Sequence, residues 1–347
     1  MIDKHIRFVV FRHGHHSPHS GYSRLAEYGV RRYAGEIIQV DKPFSRHIIR
    51  DRMLWRLAKG TPGYDRSAIA AELEVARHML TEQKWIYHFL YGETNYHYVG
   101  QLNNHNKNRL VASFHLPPDS IRESVQIDWH LRQLSAVICL GHNQQEFFTK
   151  ILDPQKVFFV PLGVDTEYYT PPPPSETRNP NLCLFVGAHL RDFPTLRGVI
   201  ELVADRRPHM QFVAVMQRQS FGLLGTHPNL TLRSGIPESD FLALYRSAAL
   251  MVMPLHDAVA NNAVLECMAC GLPLVVTDVG AVREYVSPEC SVLIRPYDSR
   301  GMAEAVQSLL DNPLELQKMS KNAREQALKF SWPEVVGRLD SVYAAVA

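Results

Sequence analysis

The chain has 347 residues, of which 46% are hydrophobic and 21% are charged, and its formal net charge is +2. This composition is typical of a folded soluble protein, and the length favours two domains. The sequence has no run of about 18 or more apolar residues and no signal-peptide pattern at its N-terminus, which excludes a membrane-spanning helix.

The charge is distributed unevenly along the chain. The part that ends at Asp165 contains 21 Lys and Arg, 16 Asp and Glu, and 13 of the 17 histidines. The remainder contains 16 Lys and Arg and 19 Asp and Glu. The first part therefore favours an anionic partner or surface. The five cysteines are scattered, which suits a reducing cytoplasm. Cys267 and Cys270 form a C-x-x-C without a second pair, so we predict buried small hydrophobic residues rather than a redox or metal pair.

A strand predicted over residues 5–12 opens the first half and leads into a glycine-bearing loop and a helix. Such a unit begins a nucleotide-binding α/β domain. Gly21 lets the loop backbone approach a ligand closely. The loop also holds four histidines: His13, His15, His16 and His19. No Asp or partner cluster accompanies them, so we predict a polar loop that faces a ligand, and no metal.

A basic segment lies at residues 42–60, with six Lys or Arg residues against one Asp. Its apolar residues recur at roughly helical spacing, and a basic amphipathic helix can bind an anionic membrane surface. A helix that packs on its own domain with a solvated basic face explains the same pattern. We therefore expect either this packed helix or a peripheral contact with the inner face of a membrane.

The stretch RLVASFHLPP (109–118) contains a strand with His115 at its carboxyl end. Pro117 and Pro118 prevent the strand from continuing. Ligands of open α/β sheets gather outside the carboxyl ends of strands, so His115 is a candidate for ligand contact or catalysis. A histidine whose ring is satisfied by a nearby backbone group is the alternative.

A change of composition marks a domain boundary. From Asp165 to Asn181 the chain has four consecutive prolines and no apolar periodicity, as in a stiff polyproline linker. We predict a Rossmann-like domain at 1–165, a linker at 166–181 and a second Rossmann-like domain at 182–330. Repeated β-then-α units give parallel sheets, and we expect the two domains to face each other across a ligand-binding cleft.

The second half is organised around the stretch DAVANNAVLECMACGLPLVVTDVGAVREYV, residues 257–286. A polar turn at Asn261 and Asn262 opens a helix that ends at Gly271. A helix N-terminus binds anions because its free N–H groups and its dipole favour negative charge. Glu266, about one turn inside this helix, is placed to reach sugar hydroxyls. An ordinary αβ unit with one exposed acid is the alternative.

Four segments, in this order, resemble the motifs of a known family. VPLGVDTEYYTPP (160–172) resembles the interdomain segment of that family. LFVGAHLRDFPTL (184–196) resembles its segment in which a glycine and a basic residue precede a helix. LECMACGLPLVVTDVGAVREYV (265–286) is similar to its donor signature, and FSWPEVVGRLDSVY (330–343) to its closing helix. The chain thus resembles the family-four retaining glycosyltransferases, of the glycosyl transferases group 1 type. Their GT-B fold implies that residues 331–347 cross back onto the first domain.

The resemblance implies transfer of a sugar from a nucleotide-sugar donor to an acceptor, with retention at the anomeric carbon. It places Glu266 on the nucleotide ribose. It places the diphosphate on the backbone around Asn261, Asn262 and Ala263, as a helix N-terminus allows. Gly187 would permit close approach of the donor.

The resemblance also assigns catalytic roles to Arg191 and His115, beside Glu266. Arg191 would offset phosphate charge, and His115 would lie near the transferred sugar. On the acceptor side of the cleft the lining residues would be Gly21 and His16.

Two positions depart from the family pattern. The donor motif usually has two glutamates separated by seven residues, and the first position falls on Ala258, with Asp257 one residue earlier. A lysine that usually follows the basic residue is missing, and its position falls on Phe193. Arg191 would then supply the positive charge alone.

The sequence contains no Asp-x-Asp, the ion site of many metal-dependent transferases. We therefore expect no metal or other cofactor, and stabilisation of the leaving diphosphate by backbone N–H groups and Arg191. The nucleotide sugar is the expected donor; the acceptor is a glycan, a lipid-linked precursor or a small molecule, and not a nucleic acid. Three alternatives stay open: a nucleotide-sugar epimerase of the same fold, a non-catalytic nucleotide-sugar-binding protein, and a metal hydrolase built on the histidine loop.

Overall fold

The computed structural model of the chain describes residues 5–10, 18–39, 66–101, 108–124 and 129–347. It divides into two compact units, Met1–Gly163 with Trp332–Ala347, and Val164–Ser331. Each unit contains one six-stranded parallel sheet. The predicted α/β class with two parallel sheets is therefore confirmed. His13, His15, His16 and the basic segment 42–60 lie outside the described residues.

The first unit alternates strands and helices in the described part of the chain. Its elements are β1 (Ile6–Val10), α1 (Arg24–Tyr33), β2 (Glu36–Gln39), α2 (Arg66–Thr81), β3 (Ile86–Phe89), β4 (Arg109–Phe114), α3 (Pro118–Ser124), β5 (Ala136–Cys139), α4 (His142–Phe148) and β6 (Val157–Phe159). The strand order is β2-β1-β3-β4-β5-β6. All residues of β1, β3 and β5 are buried, because these strands are covered on both faces. The edge strand β2 buries only Ile38.

The second unit has the same alternation. Its elements are β7 (Asn179–Val186), α5 (Phe193–Arg206), β8 (Gln211–Val215), α6 (Phe221–Leu224), β9 (Leu230–Arg233), α7 (Glu238–Ser247), β10 (Ala248–Met253), α8 (Asn262–Ala269), β11 (Leu274–Thr277), α9 (Val282–Tyr285), β12 (Ser291–Ile294), α10 (Ser299–Leu310) and α11 (Pro313–Leu328). The strand order is β12-β11-β10-β7-β8-β9. This is the order of dinucleotide-binding sheets, with β7 as the first strand and β10 as the fourth.

The proline-rich stretch predicted as a linker belongs to the second unit, and its last residues already form the start of β7. The Arg324 guanidinium donates hydrogen bonds to the carbonyls of Thr166 at 2.9 Å and Tyr169 at 2.7 Å. Arg178 donates to the carbonyls of Ala248 at 3.0 Å and Gly271 at 2.9 Å. Two arginines thus bind this stretch to the loops and helix ends around it, because peptide carbonyls are good acceptors for a guanidinium.

The closing helix, α12 (Trp332–Val346), belongs to the first unit. It packs beside α1, where Arg32 forms an ion pair with Asp340 and the Tyr33 hydroxyl donates to the Val336 carbonyl at 2.8 Å. At its end, Arg109 Nε donates to the carbonyl of Val346 at 2.8 Å. None of the helices in the described ranges has the length and apolar character that a membrane crossing requires.

Two glycines in helix interiors of the first unit allow a test of the packing. A Cβ at Gly29 in α1 would press into the ring of Phe8, which is fully buried on β1, whereas one at Gly337 in α12 would meet nothing within 4 Å. Gly29→Ala is expected to lower the free energy of unfolding by about 1–3 kcal/mol through overpacking. Gly337→Ala is expected to raise it by roughly 0.5–1 kcal/mol, because alanine is the better helix former. Urea denaturation measures both free energies of unfolding. Changes of the same sign in the two variants would contradict this packing.

Candidate functional site

The succession of strands in the second sheet reverses between β7 and β10. In sheets of this order, ligands bind outside the carboxyl ends of the strands at that reversal. The loop after β7 holds Gly187 and Arg191, and the loop after β10 holds Asn261. The topology thus brings together predicted donor residues that lie 70 positions apart in the chain.

Helix α8 begins directly after the second of these loops, with Asn261 as its N-cap. Asn261 has the extended backbone of an N-cap, with φ −135° and ψ 109°, and its Oδ1 accepts a hydrogen bond from the Ala263 amide at 3.1 Å. The amides of Asn262 and Val264 are also in the first turn, where no intrahelical carbonyl can accept their hydrogens. The start of α8 therefore presents N–H groups and the positive end of the helix dipole to a ligand.

The Arg191 guanidinium is held in place by three acceptors. Its Nε donates to the Val186 carbonyl at 3.0 Å, and its Nη1 donates to the His189 carbonyl at 2.9 Å. Its Nη2 donates to Asn261 Oδ1 at 3.3 Å, the same oxygen that caps α8. A guanidinium has five N–H groups, so two remain for a ligand.

The charge of Arg191 is not neutralised within its surroundings. Desolvation by burial lowers the pKa of Arg191 to about 10, so the group is still a cation at neutral pH. Its three acceptors are uncharged, and no carboxylate of the described residues lies within ion-pair distance of it. A partly buried cation without a counterion, next to a helix N-terminus, favours the binding of an anion.

Gly187 makes this arrangement possible. Its φ of +89° lies in the left-handed region that side chains other than glycine rarely adopt, and a Cβ there would lie 2.8 Å from Arg191 Nη2. A larger residue at position 187 would therefore displace the guanidinium. Gly187 acts on the site through Arg191, in addition to the close approach to a donor that the motif implies.

Glu266 is buried on α8, with 4% of its surface exposed. The Tyr245 hydroxyl from α7 donates a hydrogen bond to its Oε2 at 2.9 Å. Glu266 lies one turn after Asn262, on the same face of the helix. The acid is therefore buried and not exposed, as the alternative assumed, and the hydrogen bond from Tyr245 offsets part of the cost of burying a carboxylate.

Asp257 and Ala258 are fixed against the loop after β11. The Ala258 carbonyl accepts from the Ala281 amide at 2.9 Å, and Asp257 Oδ1 accepts from the Ala258 amide at 2.7 Å. A Cβ at Gly280 would clash with the Ala258 carbonyl and would lie 2.6 Å from Asp257 Oδ1. The methyl group of Ala258 is buried, and the residue before it, Asp257, is the nearest acid in the sequence.

Phe193, where the family pattern has a lysine, is a core residue. It is the first residue of α5, it is buried, and its ring lies 5.9 Å from that of Phe185 on β7. Position 193 therefore contributes no charge to the site. Asp192 beside it caps α5, accepting from the Thr195 amide at 3.0 Å.

His115 lies in the first unit, directly after β4. Its Nε2 lies 2.7 Å from the Leu90 carbonyl, which can only accept, so Nε2 carries the proton. Its ring is stacked on Tyr91 at 4.8 Å and meets the edge of Tyr22 at 4.5 Å. Burial lowers the pKa of His115, which keeps the ring neutral and leaves Nδ1 as an acceptor. The backbone contact that the alternative describes is thus present, and it fixes the tautomer of the ring.

The turn before α1 places Tyr22 against His115. Gly21 has φ +92°, a conformation that favours glycine, and Tyr22 follows it. The Tyr22 hydroxyl lies 3.0 Å from Ser113 Oγ, which in turn lies 2.7 Å from His88 Nε2. Gly21 thus positions one wall of the His115 site through its neighbour.

All five cysteines are buried and free, including Cys267 and Cys270. Burial raises the pKa of the Cys270 thiol to about 12, and that of Cys267 is raised as well. A protonated, buried thiol is unreactive, as predicted for these two residues. In the described ranges, no group of three or more His, Cys, Asp or Glu side chains is arranged to hold a metal ion.

Comparisons with known proteins relate part of the chain to glycosyltransferases. Residues 182–312 match the model of the family described as "Glycosyl transferases group 1". The chain is 30% identical over 207 residues to the MMP alpha-(1->4)-mannosyltransferase of Mycolicibacterium hassiacum, covering 55% of this chain and 49% of that protein. It is 28% identical to the D-inositol 3-phosphate glycosyltransferase of Thermobispora bispora, covering 55% and 50%. The chain thus spans about half the length of the curated relatives it matches.

Solved structures show the same fold over nearly the whole chain. Sucrose-phosphate synthase from Thermosynechococcus elongatus has a TM-score of 0.72 at 17% identity, covering 98% of both chains. HepE from Anabaena in complex with UDP-glucose has a TM-score of 0.69 at 14% identity, covering 98% of this chain and 99% of that one. These likenesses confirm the predicted GT-B type fold. Residues 182–312 are thus similar to the glycosyl transferases group 1 family, both in their motifs and in the matched model.

Proposed function

We propose that the protein is a glycosyltransferase that moves a sugar from a nucleotide-sugar donor to an acceptor, with retention and without a metal ion. The observation that supports this most directly is the Arg191 cation, which has no carboxylate partner within the described ranges and shares Asn261 Oδ1 with the start of α8. Two relatives that are glycosyltransferases by name, and a structural neighbour that binds UDP-glucose, support the same function.

In this proposal the diphosphate of the donor binds at the start of α8. The amides of Asn262 and Val264 and the two remaining N–H groups of Arg191 donate to phosphate oxygens. Because Asn261 Oδ1 joins the two donor groups, they are fixed relative to each other before the ligand arrives. Donors that need no reorganisation stabilise the charge that develops on the leaving diphosphate.

The nucleotide ribose binds at Glu266. One carboxylate oxygen is oriented by Tyr245, and the carboxylate accepts hydrogen bonds from ribose hydroxyls. The acceptor hydroxyl attacks the anomeric carbon from the side that the diphosphate leaves, and a phosphate oxygen takes its proton. In the first unit, the neutral His115 ring has Nδ1 as an acceptor for a sugar hydroxyl.

Thermal unfolding with UDP, GDP, ADP or TDP, each with and without EDTA, tests the donor site. A ligand at about a hundred times its Kd adds about 2.7 kcal/mol to the free energy of unfolding, which is a shift of about 5–10 °C for a unit of this size. We expect at least one diphosphate to give this shift, and EDTA to leave it unchanged. The absence of a shift with all four would contradict the proposal.

Arg191→Met should abolish most of this stabilisation, because it removes the only cation in the described part of the site while keeping an unbranched apolar stem. Arg300→Met, at an exposed position in the first turn of α10, is the matched control and should keep the shift. Transfer is then sought with the preferred diphosphate sugar and a panel of acceptors. Donor turnover in the absence of any acceptor would instead indicate an epimerase.

A further inference from the structure

Tyr297, between β12 and α10, has an unusual combination of backbone and exposure. Its φ is +62°, in the left-handed region, and 71% of its surface is exposed. The other large hydrophobic side chains with high exposure in the described ranges are aliphatic: Ile37, Leu73, Leu80, Leu223, Leu314 and Leu328. Tyr297 is therefore the aromatic residue among them, and it combines that exposure with a strained backbone.

The backbone at Tyr297 is imposed by the short connection around it. Asp298 caps α10 by accepting from the Gly301 amide at 2.8 Å, so the chain must turn within a few residues of the end of β12. A left-handed residue in such a turn is normally glycine or asparagine, because a larger side chain crowds the following carbonyl. A tyrosine at this position is unfavourable for folding and gains no burial in return. Strain of this kind is found where a side chain serves a function.

A second ring lies beside Tyr297. The exposed His256, in the loop after β10, has its ring centroid 5.8 Å from that of Tyr297, at an interplanar angle of 42°. The His256 amide donates to the Leu190 carbonyl at 3.0 Å, and Leu255 pairs with Arg191 through an antiparallel bridge. His256 is therefore tied to the loop that carries Arg191, and Tyr297 reaches it from the loop after β12. Both loops follow the carboxyl ends of strands, where the ligand is expected.

We propose that Tyr297 and His256 form a stacking platform for a pyranose ring of a saccharide substrate, an inference that rests on the proposed function. One face of a pyranose presents C–H groups, which pack on an aromatic face, while its hydroxyls at the rim seek hydrogen bonds. The Tyr297 hydroxyl and the imidazole of His256 supply such partners, and Arg295 and Asp298 add charged groups beside them. An open, polar-rimmed pair of rings suits a saccharide, since a purely apolar partner would leave these groups without hydrogen bonds.

The backbone strain gives the test two readouts with opposite signs. Tyr297→Gly removes the left-handed tyrosine, so the melting temperature should rise by about 2–4 °C. The same substitution should weaken binding of methyl α-D-glucopyranoside or methyl α-D-mannopyranoside, followed by saturation-transfer NMR on the full chain, by about five- to tenfold. Tyr297→Phe keeps the ring and should retain most of the binding. Unaltered glycoside binding in Tyr297→Gly, or a lower melting temperature, would overturn the platform.

Two controls separate this inference from the proposed function. Lys84 in the first unit is also exposed and left-handed, with φ +65°, so Lys84→Gly should raise the melting temperature without changing glycoside binding. A loss of glycoside binding in Lys84→Gly would contradict the assignment to Tyr297. UDP binding should be the same in all variants and the wild type. If the wild type binds the glycosides through Tyr297 but binds no nucleoside diphosphate, the proposed function is refuted and the stacking platform is still supported.

Discussion

Replacing Glu266 by alanine is expected to weaken the binding of UDP by about a hundredfold. A hydrogen bond to a charged group contributes about 1.5–3 kcal/mol, and two ribose hydroxyls on one carboxylate give about 3 kcal/mol in total. The substitution also leaves the buried Tyr245 hydroxyl without its acceptor, which destabilises the unit itself. Isothermal titration on folded protein, verified by its melting curve, measures the loss of affinity separately from this effect.

Two further variants show whether the effect belongs to the position of the carboxylate. Tyr245→Phe keeps Glu266 but removes the hydroxyl that orients it, and a loss of about 1 kcal/mol, or roughly fivefold, is expected. Glu201→Ala removes an exposed acid on α5 of the same unit and should leave the affinity unchanged. Equal losses in Glu201→Ala and Glu266→Ala would show that general electrostatics, and not a ribose contact, explain the result.

The ribose contact has a chemical test of its own. The wild type should bind UDP far more tightly than 2′,3′-dideoxy-UDP, because the dideoxy sugar has no hydroxyls to donate to Glu266. Glu266→Ala should bind the two nucleotides about equally. Persistent discrimination by that variant would place the ribose elsewhere.

The sequence predicts the start of α8 well because its signals are local. Asn261, a helix of apolar and small residues and Gly271 lie within eleven positions of one another, and capping and helix termination act over such distances. The burial of Glu266 was not predictable in the same way. It depends on Tyr245 in α7, twenty-one positions earlier, and nothing in the sequence of that helix distinguishes this tyrosine from an ordinary core residue.

The link between Arg191 and Asn261 shows the same limit at longer range. Both residues were predicted for the site through the family motifs, Asn261 for its backbone and Arg191 for its charge. The structure adds that the Asn261 side chain joins them, a contact across 70 positions that exists only because β7 and β10 are neighbours in the sheet. The strand order, which the alternation of elements does not specify, decides which loops meet. The outcome at Phe193 has a similar origin, because whether it faces the core depends on where α5 begins.

Acidification is expected to destabilise the first unit, because two of its histidines are buried as neutral rings. Desolvation lowers the pKa of His88 to about 3, and that of His97 to about 3 with a further contribution from His130. His88 lies between two hydroxyls, Tyr343 Oη at 2.7 Å from Nδ1 and Ser113 Oγ at 2.7 Å from Nε2. A neutral imidazole has one donor and one acceptor for them, whereas an imidazolium would need two acceptors.

The sign follows from the folded and unfolded pKa values. Both folded values lie below the unfolded value of about 6.5, so the unfolded chain binds more protons at any pH between about 6.5 and 3. Stability is therefore full above pH 6.5 and falls as the pH decreases. From pH 7 to pH 5 each histidine removes about 2 kcal/mol, and the two together remove about 4 kcal/mol, a large part of the 5–15 kcal/mol typical of a domain.

All four tryptophans, Trp55, Trp85, Trp129 and Trp332, belong to the first unit, so their fluorescence in urea reports on this unit alone. His88→Gln is expected to be less stable than the wild type at pH 7, yet to lose about 2 kcal/mol less between pH 7 and pH 5. This change in slope is the informative quantity, because a purely structural defect shifts the free energy by the same amount at every pH. His209→Gln, at an exposed position of the second unit, should keep the slope of the wild type. If His88→Gln keeps it too, the His88 ring does not stay neutral in the folded unit.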